Sequence, residues 1–279
     1  MRLLVTGAKG MLGHRVAAHA RERDHEVYVT DLPELDLTDA QAVFDHLGDL
    51  QPDVVIHCAA YTDVDGAEAD EPLALRINME AASNVTAASG LNGAFVVALS
   101  TDYVFAGDGD WPYVESDAPD PRGAYGRTKL LGEQAVLDVG TDCAIARTAW
   151  LFGAGGKNFV DTMLALGAQH GEVKVVGDQI GSPTWTGFLA PAVVEIAERR
   201  STGLHHLAGA GLCSWAELAE EIFRLAGVSC SVAPVTTAEF PRPAPRPAWS
   251  VLGTERDDAI HLPPWQDHVR THLEERKAS

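Results

Sequence analysis

A tyrosine and a lysine stand four residues apart in Tyr125-Gly126-Arg127-Thr128-Lys129, a spacing that puts both side chains on one face of a helix. An ammonium beside a phenol favours the phenolate and is expected to lower the tyrosine pKa from about 10 toward working pH. Such a phenol is suited to protonate a carbonyl that is being reduced. The pair is common by chance, and its ordinary reading is an exposed helical pair. Ser100-Thr101-Asp102-Tyr103 adds context, because Thr101 lies 24 residues before Tyr125 at the end of an apolar run that reads as a strand. Ligands bind at the C-terminal ends of parallel strands, so Thr101 is placed to hydrogen-bond the oxygen that Tyr125 would protonate. Thr101, Tyr125 and Lys129 are the candidate catalytic residues.

A second constellation opens the chain. Gly7-Ala8-Lys9-Gly10-Met11-Leu12-Gly13 follows an apolar strand and leads into a helical pattern. In that context the first glycine permits a tight turn, the second lets backbone approach a pyrophosphate, and the third lets helix and strand pack closely. Without a ligand the same motif is a strand–helix turn. Asp31 closes the next apolar run, 24 residues after Gly7. A carboxylate there either accepts hydrogen bonds from the adenosine ribose hydroxyls or is a solvated turn residue. It would repel a 2′-phosphate, with Lys9 nearby to soften the repulsion, so NADH or dual cofactor use is expected. Asp36-Leu37 is placed to contact adenine, although Asp36 fits local turn chemistry equally well.

These residues need a scaffold of alternating strands and helices. Leu3–Thr6, Glu26–Thr30, Val54–Cys58, Phe95–Leu99 and Cys143–Arg147 read as buried strands, and Met11–Arg23, Ala40–Leu47, Leu73–Ser89 and Tyr125–Val139 as amphipathic helices. That β-α-β-α order predicts a Rossmann-type doubly wound α/β sheet. Thr38 with Gln41 suggests a capping box, and Pro72 suits a first helical turn. Beyond residue 150 the pattern loosens into helices at Phe159–Leu166, Phe188–Arg199 and Trp215–Leu225, the last opened by the box Ser214-x-x-Glu217. The expected division is a dinucleotide-binding domain over 1–150, with some later segments returning to it, and a smaller α/β substrate-binding domain over 151–279. Pro241-Arg242-Pro243-Ala244-Pro245-Arg246-Pro247 cannot form helix or central strand, since every second residue lacks an amide donor. It is either a stiff surface connector or a loop that holds arginines over a site.

Composition narrows the partners. With 21 basic and 40 acidic side chains in 279 residues the net charge is −19, a poor match for nucleic acid or anionic membranes. No apolar run reaches the roughly 20 residues of a membrane helix, and the N-terminal apolar stretch is too short for a signal peptide. The four cysteines are scattered without a C-x-x-C pair, which fits a reducing compartment. A cytoplasmic protein acting on small molecules is expected, as a monomer or homodimer.

Taken together, GAKGMLG, CAAYTDVDGAE (58–68), STDYVFAGDG (100–109), YGRTKLLGE (125–133), RTAWLFGAGGKNF (147–159), GDQIGSPT (177–184) and RPAWSVL (246–252) resemble the extended short-chain dehydrogenase/reductases. Among these the chain is most similar to the dTDP-4-dehydrorhamnose reductases, with the motifs in family order along nearly the whole length. The resemblance implies NAD(P)H-dependent reduction of the 4-keto group of a nucleotide-linked 6-deoxyhexose, most simply dTDP-4-dehydro-L-rhamnose. It assigns Thr101, Tyr125 and Lys129 to catalysis and Gly10, Met11 and Leu12 to the phosphate loop. Asp31, Asp36 and Leu37 become adenosine contacts, and Ala59, Ala60, Tyr61 and Leu99 line the nicotinamide half. Asp102 and Trp150 match deoxysugar contacts, with Thr62, Val64 and Asn158 as further candidates and core packing as the alternative for Trp150. Arg242 and Arg246 then become candidates for the diphosphate, which arginine clamps well.

The chain also departs from the pattern. Some relatives are associated with magnesium and pair through a glutamate in the first helix and another after the SPT motif. Here those stretches read His14-Arg15 and Trp185-Thr186-Gly187-Phe188, so no required metal is expected and that dimer is in doubt. The eleven histidines, His205-His206 included, lack ligand-like spacing. Two other functions fit the same motifs: reduction of a different dTDP-keto-deoxysugar, and a non-catalytic NADP-binding subunit like that of methionine adenosyltransferase. An intact Thr101, Tyr125 and Lys129 argues against the idle subunit.

Overall fold

The five expected strands all lie in one six-stranded parallel sheet: β1 Arg2–Thr6, β2 Glu26–Thr30, β3 Val54–His57, β4 Phe95–Thr101 and β5 Cys143–Thr148. Strand β2 is not the buried strand expected, because it forms the edge and leaves Glu26, Tyr28 and Val29 exposed. The sixth strand is Gly203–His206, which pairs in parallel with β5. The order across the sheet is β2-β1-β3-β4-β5 and then Gly203–His206. The computed structural model describes residues 1–278.

Every residue of β3 and β5 is buried, as a parallel sheet covered on both faces requires. Successive side chains point to opposite faces, and the core clusters follow that rule. Leu3 and Val5 pack with Val16 of α1 (Gly13–Glu22). Leu4 and Val55 pack with Val43 and Leu47 of α2 (Ala40–Leu50) on the other side. The chain starts at β1, adds β2 on one side and then crosses to place β3 on the other. The crevice above β1 and β3 is therefore the topological switch point where such sheets bind ligands.

After β3 come α3 (Val64–Ala69) and α4 (Glu71–Leu75), a π-helical turn over Arg76–Glu80, and α5 (Ala81–Leu91). Pro72 sits in the first turn of α4. The single helix expected over Leu73–Ser89 is thus broken by a π turn, a feature that periodicity does not reveal. Asp39, not Thr38, caps α2, accepting from the amides of Gln41 and Ala42. Thr38 is unavailable because its hydroxyl donates to Asp36 at 2.8 Å. Helix α6 (Ala124–Asp138) covers β4 and β5.

The second half builds its own core from α7 (Phe159–Gly167), α9 (Trp215–Ala226) and α10 (Trp265–Ala278) around Val173, Val175 and Trp185. Short ladders brace it: Glu172–Val176 with Ser231–Val235, Ile180–Gly181 with Cys213–Ser214, and Leu151–Phe152 with Thr184–Trp185. The capping box of Ser214 and Glu217 opens α9 as the sequence leads one to expect. Between these pieces α8 (Thr186–Arg199) packs Leu189 and Val193 against the core of β1 and α1. No described helix is long and apolar enough to cross a membrane.

Candidate active site

Strand β4 runs two residues further than its apolar run, and those residues carry chemistry. Thr101 ends the strand, and its hydroxyl donates to Asp102 at 3.0 Å while accepting from the Tyr103 amide at 3.3 Å. Tyr125 stands in the first turn of α6, whose leading amide at Ala124 donates to Glu68 of α3 at 2.6 Å. Lys129 follows one turn later and donates to the Leu99 carbonyl at 2.7 Å. Thr101 and Lys129 are both buried.

Burial decides the protonation of this group. It pushes the Tyr125 phenol up to about 12, with the Thr101 hydroxyl pulling it back and the Asp102 charge adding to the rise. The expected lowering by Lys129 is not found: its ammonium is turned to the Leu99 carbonyl, and desolvation of the phenolate sets the phenol. The same desolvation brings the Lys129 ammonium down to about 8, against the opposing pull of Glu133 and Cys58. Tyr125 is consequently held as a protonated phenol, the form that a general acid needs.

Asn78, absent from the sequence reading, ties this group together. It lies in the π turn and is buried. Its side chain accepts from the Tyr61 amide at 2.8 Å and donates to Thr128 on α6 at 3.0 Å. Its only sequence signal is an amide in a helical stretch where an apolar residue would serve packing better.

The turn over 7–13 has the form of an anion cradle. Gly7 adopts φ +64°, and a Cβ there would come within 2.6 Å of the Ala59 amide nitrogen. A Cβ on Gly13 would run into the Gly7 carbonyl. No side chain caps α1, so its leading amides face the crevice uncommitted to a side chain. A dinucleotide pyrophosphate fits such a cradle. Leu12 is buried beneath it, and Met11 folds against Gly156 across the crevice.

Asp31 follows β2 and accepts from the Lys9 amide and the Leu32 amide, both at 2.8 Å. The Lys9 ammonium donates to the Leu32 carbonyl and pairs with Glu34 at 2.8 Å. Asp36 accepts from the amide and hydroxyl of Thr38, the local turn that its sequence allowed. The Leu37 carbonyl accepts from Asn84, and Leu37 packs beside the α2 core. Ala59, Ala60 and Tyr61 line the exit of β3, half-buried, with Tyr61 in one cluster with Tyr125.

Across from the cradle lies a cleft of about 540 Å³ whose walls include Val64, Trp150, Asn158, Trp215, Arg242 and Arg246. The Pro-Arg stretch is irregular, and it carries both arginines to this cleft. Trp150 has left-handed backbone at φ +47°. Its indole stacks on Trp215 with centroids 3.5 Å apart and donates to the Ser250 hydroxyl at 3.1 Å. Trp215 is held in turn by Gln179 at 3.2 Å. Asn158 caps α7, and its amide donates to the Gly153 carbonyl and the Asp161 carboxylate, so its side chain is committed locally. Thr62 is exposed beside the cleft-lining Val64.

Asp102 is 2% exposed, and its Oδ2 has no hydrogen-bond partner. Burial pushes its carboxyl up to about 6, moderated by the hydroxyls of Ser250 and Thr101. A buried carboxylate oxygen without a donor is costly, and a ligand hydroxyl would supply one. Ser250, which the sequence reading did not single out, thus stands between Trp150 and Asp102.

The sequence matches the family model described as RmlD substrate binding domain over residues 1–278. The chain belongs to the RmlD family. It is 45% identical over 96% of its length to a probable dTDP-4,6-dihydroxy-2-methyloxan-3-one 4-ketoreductase of Streptomyces antibioticus, covering 92% of that protein. It is 43% identical over 98% of its length to the dTDP-4-dehydrorhamnose reductase of Streptomyces griseus, covering 92% of it. The crystal structure of the dTDP-4-dehydrorhamnose reductase of Bacillus anthracis in complex with NADP aligns with a TM-score of 0.96 at 38% identity, over 98% of this chain and 99% of that one.

In this RmlD-family chain the two stretches His14-Arg15 and 185–188 meet near α10. Arg15 forms an ion pair with Glu275 of α10 and lies 5.7 Å from the centroid of the Trp185 ring. His205 and His206 are buried, and His206 Nδ1 lies 2.8 Å from the Gly253 carbonyl. Among the described residues no group of three or more His, Cys, Asp or Glu is arranged to hold a metal ion.

Proposed function

We propose that this chain reduces the 4-keto group of a nucleotide-linked 6-deoxyhexose with NADH or NADPH, and that dTDP-4-dehydro-L-rhamnose is its substrate. The observation that carries the reading is the meeting of Thr101, Tyr125 and Lys129 at the end of β4 and the start of α6, with the Tyr125 phenol kept protonated beside the Thr101 hydroxyl. Relatives spanning nearly the whole chain are named dTDP-4-dehydrorhamnose reductases, and one is solved with NADP.

A bound nicotinamide supplies hydride to the carbonyl carbon. Thr101 turns its hydroxyl hydrogen from Asp102 to the carbonyl oxygen, and Tyr125 transfers its phenolic proton to that oxygen as negative charge develops. Lys129, anchored on the Leu99 carbonyl, places positive charge under the site. Asp102 accepts from a neighbouring sugar hydroxyl, Trp150 offers the ring an apolar face, and Arg242 and Arg246 take the diphosphate.

The test is cofactor oxidation at about 340 nm with a panel of dTDP-4-keto-6-deoxysugars, each with NADH and with NADPH. Preferred turnover of the dehydrorhamnose isomer supports the reading. A second reading, reduction of another dTDP-keto-deoxysugar, has its support in the 45% identity to the Streptomyces antibioticus ketoreductase. Preference for a different panel member would establish it. Absence of turnover across the panel, in protein that binds the cofactor, would favour the idle subunit.

A further inference from the structure

Arg242 and Arg246 do not stand alone over the cleft. Asp65, in the first turn of α3 beside the cleft-lining Val64, meets both. Its carboxylate lies 2.9 Å from Nη2 of Arg246 and 3.7 Å from Nη1 of Arg242. It also accepts the Ala244 amide at 3.2 Å. The four prolines of the stretch leave only Arg242, Ala244 and Arg246 with amide hydrogens, and Ala244 gives its own to Asp65 across 179 residues.

We infer that Asp65 is a positioning residue for anion recognition: a fixed carboxylate that holds the two guanidinium groups in place to receive a diphosphate. This rests on the nucleotide-sugar reading above. Proline stiffens the stretch but does not fasten it, and Asp65 supplies the fastening. The pair it forms with Arg246 is largely withdrawn from water, at 25% and 17% side-chain exposure, where a charged hydrogen bond is stronger than at the open surface. Arg246 spends one donor on Asp65 and one on the Ala244 carbonyl. Of its five N–H groups, the rest stay available to a ligand. Two guanidinium groups against one carboxylate leave net positive charge at this spot on a chain of charge −19. Holding both arginines in advance spares a ligand the entropy of ordering them.

The opposite role, in which Asp65 competes with the diphosphate for the arginines, makes the opposite prediction. Calorimetric titration of dTDP into the wild type, Asp65→Ala, Asp65→Asn, Arg246→Ala and the Asp65→Ala/Arg246→Ala double variant separates them. Asp65→Ala should weaken dTDP about 10-fold and raise the KM of the keto-sugar in proportion, with nicotinamide affinity unmoved. Asp65→Asn retains an acceptor for Ala244 and should still weaken dTDP about threefold or more, through the lost charge. Asp65 acts chiefly through Arg246, at 2.9 Å against 3.7 Å for the more exposed Arg242, so the double variant should bind within about threefold of Arg246→Ala alone, well short of the additive loss. Tighter binding by Asp65→Ala, unchanged affinity in both single Asp65 variants, or additive losses in the double variant would each overturn the inference while leaving the nucleotide-sugar reading intact. A wild type that fails to bind dTDP would remove both.

Discussion

The two walls of the crevice are made from different material. One wall, the proposed cofactor side, is backbone: a glycine turn packed against the exit of β3, with Gly7 and Gly13 small because neighbouring main chain leaves no room for a Cβ. Its parts follow one another closely, and each βα unit repeats the same geometry. The other, the proposed substrate side, is side chains drawn from distant places. Trp150 reaches Ser250 across 100 residues, and Ala244 reaches Asp65 across 179. A backbone wall recognises what every dinucleotide shares, whereas a side-chain wall can change its ligand by exchanging a few residues. That contrast accords with relatives named for different keto-sugars at similar identity.

The largest effect is expected where the walls meet. Tyr125→Phe removes the proton donor and should lower kcat by a factor of about 10² or more, while the intact cradle keeps cofactor affinity unchanged. The phenol is pushed up to about 12, so the wild type should show no loss of activity from phenol ionisation between about pH 6 and 9. Near-native turnover by Tyr125→Phe, with chemistry shown to be rate-limiting, would falsify the assignment.

Acid should weaken both halves of the molecule through buried histidines. His268 is fully buried and accepts from the Trp185 amide, and burial brings its pKa down to about 4. His272, also buried, is lowered by the same cause. A histidine depressed in the folded state binds its proton more readily when unfolded, so stability is full above the unfolded value of about 6.5 and falls as pH drops below it. For His268 the loss between pH 7 and pH 5 is about 2 kcal/mol, at about 1.4 kcal/mol per pH unit below 6.5. His57 of β3, buried with its Nδ1 2.8 Å from the Thr6 hydroxyl of β1, is brought down by burial to about 3, so the main sheet should lose stability over the same range as α10. A His268→Gln or His57→Gln variant whose pH–Tm profile stays as steep as the wild type's would contradict this.

The difference between the walls also explains what could be read from residues alone. The parallel sheet, the glycine turn and the Tyr125–Lys129 pair were legible because each rests on short-range periodicity. Asn78, Asp65 and Ser250 were not, since each matters through a partner 50 or more residues away. The tyrosine pKa was misjudged for a related reason. The Tyr125–Lys129 spacing is visible in sequence, but the desolvation of the phenol and the turning of the ammonium to the Leu99 carbonyl belong to the assembled fold. Strand Gly203–His206 is not among the strands expected, yet it completes the main sheet beside β5, with its two histidines buried as packing residues.

A smaller effect tests the side-chain wall directly. Ser250→Ala removes the acceptor for the Trp150 indole and a donor facing Asp102. The loss of one such bond is worth about 1 kcal/mol, a KM increase of about fivefold for the keto-sugar with kcat nearly constant. Nicotinamide KM should not move. A matched rise in both KM values would mean that the walls are less independent than their construction implies.

The smallest effect belongs to the cofactor wall, where a side chain does the discriminating. Asp31 already accepts two backbone amides, yet each carboxylate oxygen keeps a lone pair for a ribose hydroxyl. A 2′-phosphate brought to the same place would meet that charge. The nearby cation offers limited relief, because the Lys9 ammonium is spent on the Leu32 carbonyl and on Glu34. NADH should therefore serve at least as well as NADPH. Both Asp31 and Lys9 lie at the exposed edge of the crevice, where solvent screening weakens such repulsion. Asp31→Ala should accordingly shift the ratio of kcat/KM toward NADPH by less than about 10-fold, a change below about 1.4 kcal/mol. The two glycines should matter to both cofactors alike, since a pyrophosphate is common to them. A wild type that strongly prefers NADPH, with the preference unchanged in Asp31→Ala, would show that the phosphate is read by other groups and that even this choice is made by the backbone turn.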